Sequence, residues 1–145
     1  MNKISLLFIL SVLITFSAYA QDDIKITHAP YLQNLGENEV TVVWTANKPS
    51  IGWVELAPDD GTHYYQTERP KFFNAKNGIK LTSTVHSVHL TGLKPGTRYR
   101  YRVYSQEVLS HVGWRVIYGN VAATSVYGKQ PLTFLTSDHG RQSVN

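Results

Sequence analysis

The chain has no cysteine, and its one methionine is the initiator. Without thiols there is no disulfide, thiolate metal ligand, iron–sulfur cluster or cysteine nucleophile, so stability must come from a packed core. Charge is thin as well: 14 Lys and Arg against 10 Asp and Glu, a net of +4 over 145 residues. That mild, scattered excess speaks to solubility and gives only weak support for an anionic partner. No Gly-x-Ser-x-Gly elbow, phosphate-binding glycine loop or His-Glu-x-x-His motif is present. Past residue 20, apolar residues do not recur at helical spacing, and there is no internal repeat or low-complexity linker.

The single long apolar run is at the start. "MNKISLLFILSVLITFSAYA" has Lys3, an apolar stretch from Ile4 to Phe16, and then Ala18-Tyr19-Ala20. This is the order of a secretory signal peptide over residues 1–20, cleaved after Ala20. A membrane span needs about 20 apolar residues, and this run is shorter and interrupted by Ser5, Ser11 and Thr15. No cysteine follows Ala20 to accept a lipid. The expected product is secreted, periplasmic or extracellular, which makes nucleic acid an unsuited partner. From Gln21 onward about 125 residues remain, the size of one domain.

Those residues read as short alternating runs separated by turn formers, which predicts an all-β antiparallel sandwich. "EVTVVWT" puts Val40, Val42 and Trp44 on one face and Thr41 and Thr45 on the other. "IGWVEL" follows the turn residues Asn47, Pro49 and Ser50. Asp60-Gly61 signals a tight hairpin, with Tyr64 and Tyr65 starting the returning strand. "RPKFFNAKNGIKLT" reads as a loop carrying a short strand, broken by Pro70, Asn77 and Gly78. In "TVHSVHL" Val88 and Leu90 point inward and His89 outward. "YRYRV" alternates most cleanly: Tyr99, Tyr101 and Val103 share one face, Arg98, Arg100 and Arg102 the other. The final strand, "PLTFLT", turns Leu132 and Phe134 inward. The stretch between these two is too long for a simple loop, and Trp114 to Tyr118 between Gly113 and Gly119 gives it strand structure of its own.

"LTGLKPGTRYRYRV" resembles the corner between the fifth and sixth strands of a fibronectin type III domain. The resemblance implies that Leu93 plugs the core, Pro95 and Gly96 turn the chain, and Tyr99 forms a tyrosine corner with upstream backbone near Leu93. Trp44 matches the core tryptophan of such domains. The fold class is therefore an immunoglobulin-like sandwich of fibronectin type III type. More narrowly, "HAPYLQNLGENEVTVVWT", "IGWVELA" and "VHSVHLTGLKPGTRYRYRV" together resemble the N-terminal domain of purple acid phosphatases and related secreted metallophosphoesterases. In that family a separate catalytic domain holding two metal ions follows the sandwich. The resemblance runs from His28 to about Thr136 and sets the domain at residues 21–137.

Residues 138–145 then read as a linker stub. The family's first metal motif is Asp-x-His at the end of a catalytic strand, whereas Asp138 and His139 are adjacent. Neighbours on an extended segment point opposite ways and cannot readily share a metal. The family's later metal motifs are missing from the sequence. The expectation is a chain with no catalytic residue, no cofactor and no metal of its own, docking on or positioning a metallophosphoesterase catalytic domain in cis or in trans.

Other constellations weigh less. His86 and His89 leave opposite faces of one strand, which disfavours chelation by the pair. His86 shares the parity of Val88 and reads as a partly buried, hydrogen-bonded histidine. Asp59-Asp60-Gly61 lacks the spaced oxygen ligands of a calcium loop. The arginine ladder pairs with carboxylates or faces water more often than it grips an anion. Aromatics exceed the needs of one small core, so Tyr64, Tyr65, Phe72, Phe73, Trp114, Tyr118 and Tyr127 are candidates to face a partner. The missing catalytic domain is the expected partner, and an extracellular glycan or another protein is the alternative.

Overall fold

The computed structural model describes residues 21–127 and 131–139. The expected leader lies outside them, as do residues 140–145 of the expected stub. Nine strands follow one another: β1 Ile26–Gln33, β2 Val40–Pro58, β3 Lys71–Phe73, β4 Ala75–Lys76, β5 Ile79–Lys80, β6 Ser83–Leu90, β7 Arg98–Val112, β8 Arg115–Ala123 and β9 Thr133–Leu135. All of their pairings are antiparallel.

Strand β2 belongs to both layers of the sandwich. Its first half pairs with β1 and β6, in a register that sets Val40 against Leu90 and Trp44 against His86. Its second half pairs with β3 and β7, setting Val54 against Val103 and Pro58 against Tyr99. The expected break at Asn47, Pro49 and Ser50 is instead a bend inside one 19-residue strand. The register on β6 shifts between Thr45 and Ser50, so the strand changes layers without leaving extended backbone. β8 and β9 lie one after the other along β7.

The core fills the space between the layers. Val40, Val42, Trp44, Val88 and Leu90 come from the first, and Val54, Leu56, Tyr101, Val103 and Phe134 from the second. Each fully buried aliphatic of this kind contributes roughly 1.5–3 kcal/mol. This is the arrangement of a fibronectin type III sandwich, and the alternation in "EVTVVWT" and "YRYRV" produced it.

Two segments fold differently from the expectation. Asp60-Gly61 does not close a tight hairpin, and Tyr64 and Tyr65 start no strand. The returning strand is β3, with Phe73 opposite Trp53. The Asp60 carboxylate accepts from the Thr62 amide and hydroxyl at 3.0 and 2.6 Å, folding the chain locally in place of a ladder. Conversely, "RPKFFNAKNGIKLT" contains three short strands. Asn77 and Gly78, at φ 52° and 77°, form the turn between β4 and β5, as a two-residue hairpin requires.

Candidate functional site

Pole by pole, the structure shows what the chemistry-bearing residues do. At the corner, Tyr99 stacks on Phe134, and its hydroxyl accepts the Lys94 amide at 2.9 Å, one residue beyond Leu93. Leu93 is buried, and Asn38 holds it through both its carbonyl and its side-chain amide. Pro95 precedes Gly96, whose positive φ turns the chain toward β7. The residues after β9 are tied to this same pole. Thr136 Oγ1 donates to the Lys94 carbonyl, the Gly96 amide to Ser137 O, and the Ser137 amide to Gly36 O. The His139 amide donates to Glu37 Oε1 at 2.9 Å. A cavity of about 450 Å³ lies between this segment and the Leu35–Glu39 loop. Leu35 and Leu135 are exposed here.

The six histidines stay apart. His28 meets Thr45, His63 meets Tyr127, His89 pairs with Glu39 at 3.0 Å, and His139 lies 3.6 Å from Glu37. Among the described residues no three His, Asp or Glu side chains converge as a metal would need.

His86 is fully buried and makes a Ser–His–Asn relay that the sequence did not announce. Asn74 Nδ2 lies 3.2 Å from His86 Nδ1, His86 Nε2 lies 2.8 Å from Ser50 Oγ, and Ser50 Oγ donates to Ser83 O. This pattern fits a neutral ring protonated at Nε2. Burial lowers the His86 pKa to about 4, keeping it neutral. Ser50 and His86 have no exposed surface, and the ring packs on Gly52 and on Trp44 at 5.1 Å. With no room for a substrate, the relay joins β2 to β6 across the bend and stabilises the fold.

On the outer face of the second layer, Trp53 stacks on Tyr104 with centroids 4.9 Å apart and leans on Phe73. The Tyr65 hydroxyl donates to Glu55 at 3.0 Å and lies 2.6 Å from the Tyr104 hydroxyl; Arg102 donates to it at 2.6 Å. Burial, and then the Glu55 hydrogen bond, raise the Tyr104 pKa well above its usual value. Arg100 donates to Pro58 O and Thr62 O and lies 3.7 Å from Asp60. Arg100 and Arg102 are thus engaged by the chain's own acceptors. Trp53 and Tyr104 were not singled out from the sequence, although each shares parity with an outward residue, Glu55 and Arg102.

The aromatics expected to face a partner divide. Tyr64 is 3% exposed, with its hydroxyl on Glu55 O and Arg69 donating to its carbonyl. It is an anchor of the 59–70 loop and does not face outward. Phe72 packs against the core, and Phe73 lies against Trp53. Tyr65 closes the outer-face cluster. Trp114 stands in solvent at 99% exposure, whereas Tyr118 and Tyr127 are exposed but engaged, Tyr118 lining a cavity and Tyr127 meeting His63. β7 and β8 continue past the last residue of β7 that pairs with β2, Glu107, as a two-stranded ribbon turned by Gly113 and Trp114.

A fibronectin type III sandwich with its exit segment tied to the corner is the class of domain that these features define. The sequence profile of the purple acid phosphatase N-terminal domain matches residues 28–118, and the chain belongs to that family. No curated protein matches it. Among solved structures it is similar to the FN5 domain of Drosophila Lar, at 13% identity over 79% of this chain and 96% of that one, with a TM-score of 0.47. It is also similar to a computationally redesigned β-sandwich protein, at 19% identity over the same shares, with a TM-score of 0.46.

Proposed function

We propose that this chain is a secreted, non-catalytic module that docks on a metallophosphoesterase catalytic domain and fixes its orientation. The observation that carries this reading is the clamp on residues 136–139. Hydrogen bonds to Lys94, Gly96, Thr97, Gly36 and Glu37 hold the segment leaving β9 against the corner. A loose tether would need none of them. A domain carried there, or docked there in trans, meets a rigid pole with Leu35 and Leu135 exposed beside it. The dinuclear metal chemistry of the family belongs to that catalytic domain.

Two measurements test this. The purified chain, supplied with iron, zinc or manganese, should not hydrolyse p-nitrophenyl phosphate, and metal-dependent turnover would overturn the non-catalytic half. A purple acid phosphatase catalytic domain added in trans should form a complex by calorimetry. Leu35→Asp should weaken it more than about tenfold, the cost of charging an apolar interface, while Trp114→Ala leaves it unchanged. No complex, or one indifferent to Leu35, would overturn the docking half.

A further inference from the structure

The end of the molecule remote from the clamp has a different chemistry. β7 spans roughly 45 Å at about 3.3 Å per residue, from the corner at Arg98, paired with Leu135, to the tip at Val112, paired with Arg115. Near that tip the Asn77-Gly78 hairpin and the β7–β8 ribbon share a cavity of about 380 Å³ that includes Ile79, His111, Val116 and Tyr118, and Gly113-Trp114 turns the ribbon just beyond it. The apolar side chains stand on the protrusions themselves: Trp114 is 99% exposed, Val112 74% and Ile79 69%.

Lys76, Lys80 and Arg115 are exposed among them. Residues 75–82 and 108–121 contain no Asp or Glu. Among the described residues no carboxylate pairs with any of these three cations. Acidic groups begin only at the base of the ribbon, where Glu107 meets Lys48 at 3.1 Å and Asp23 meets Asn120.

We infer that these two tips are a peripheral docking site for an anionic phospholipid surface. Bulky apolar groups on convex tips can enter the headgroup region, where tryptophan is favoured. The ring of cations without carboxylates complements anionic headgroups. A second copy of the chain meeting it tip to tip would set like charges against each other. No helix among the described residues is long and apolar enough to cross a membrane. With the clamp at the other pole, the module would hold a phosphatase domain at a distance from such a surface.

The test is co-sedimentation of the purified chain with vesicles of phosphatidylcholine, alone or with about a third phosphatidylglycerol. Binding is expected to the anionic vesicles, with little to the neutral ones. Trp114→Ala should weaken it about tenfold or more. The double variant Lys76→Ala/Arg115→Ala should weaken it more than about tenfold, since each cation near the surface contributes about a fivefold factor. All three substitutions are at exposed positions, and unchanged melting temperatures would show that the fold survives. Absent binding to anionic vesicles, equal binding to both compositions, or binding unaffected by Trp114→Ala would each overturn the inference. Trp114-dependent binding to polyglutamate without vesicle binding would overturn it too, in favour of an acidic protein partner.

Discussion

Near its start β7 carries Tyr101 and Val103 into the core at 4% and 0% exposure; near its end Leu109 and Val112 stand in solvent at 56% and 74%. The backbone is extended throughout, although the register on β8 shifts between Gln106 and Ser110 and apolar residues then fall on both parities. What differs is the opposite layer. Up to Glu107 the strand is paired with β2, whose other half lies across the core, and Tyr101 and Val103 join the cluster that holds Val42, Trp44 and Leu90. Beyond Glu107, among the described residues, it is paired with β8 alone. A two-stranded ribbon has no second sheet to bury a face against, so its apolar residues remain available to a partner. The variants below probe that contrast, from the densest packing to the most exposed tip.

Trp44→Ala should cost about 3–5 kcal/mol, as a large-to-small change at a fully buried site. It also strips Ser105 Oγ of the indole donor at 2.9 Å. Urea denaturation measures it, and a loss near zero would mean that the core does not depend on this end of β2.

Acid should weaken the same region by a comparable amount. The His86 pKa is lowered from 6.5 to about 4 in the fold, so between those values the unfolded chain binds a proton that the folded one refuses. Its stabilising contribution is complete above pH 6.5 and lost as pH falls toward 4, a change of about 3 kcal/mol. His86→Gln does not titrate. The stability difference between wild type and this variant should therefore shrink by that amount between pH 7 and 4. A constant difference would show that the ring is accessible to protons.

Gly52→Ala comes next, at about 1–3 kcal/mol for overpacking. A Cβ there would lie 2.5 Å from the His86 ring and 2.8 Å from Trp44 Cζ2, and neither ring can withdraw. Tyr99→Phe should cost about 1 kcal/mol, because the Lys94 amide loses its acceptor but keeps some access to water. A Tyr99→Phe melt identical to wild type would make the corner a packing feature only.

How much of this was legible depended on how local the cause was. The period of two in "YRYRV" and the Leu93–Tyr99 corner are short-range patterns, and both appear where the residues put them. The layer change of β2 was not legible, because Asn47 and Pro49 are ordinary turn residues and only pairing on both edges keeps them extended. The Ser50–His86–Asn74 relay joins three segments up to 36 residues apart, so no spacing could announce it. Tyr64 was misplaced because its burial depends on the 59–70 loop folding back over β2 and β7, a tertiary event. The exposed ribbon had a faint signal: "VLSHVGWRVIYGNV" keeps apolar residues on both parities, which a strand with one buried face does not need.

Trp114→Ala therefore has the smallest expected effect, within about 0.5 kcal/mol of wild type, as for surface substitutions generally. At 99% exposure the indole removes nothing from water, and the turn depends on Gly113, whose φ of 60° stays as it is. The comparison with Trp44 is sharp because the residue type is the same and only the presence of a facing layer differs. If Trp114→Ala instead cost as much as Gly52→Ala, the ribbon would have to fold back onto the sandwich in solution. Its apolar tip would then be part of the core, and neither a lipid surface nor any other partner would find it exposed.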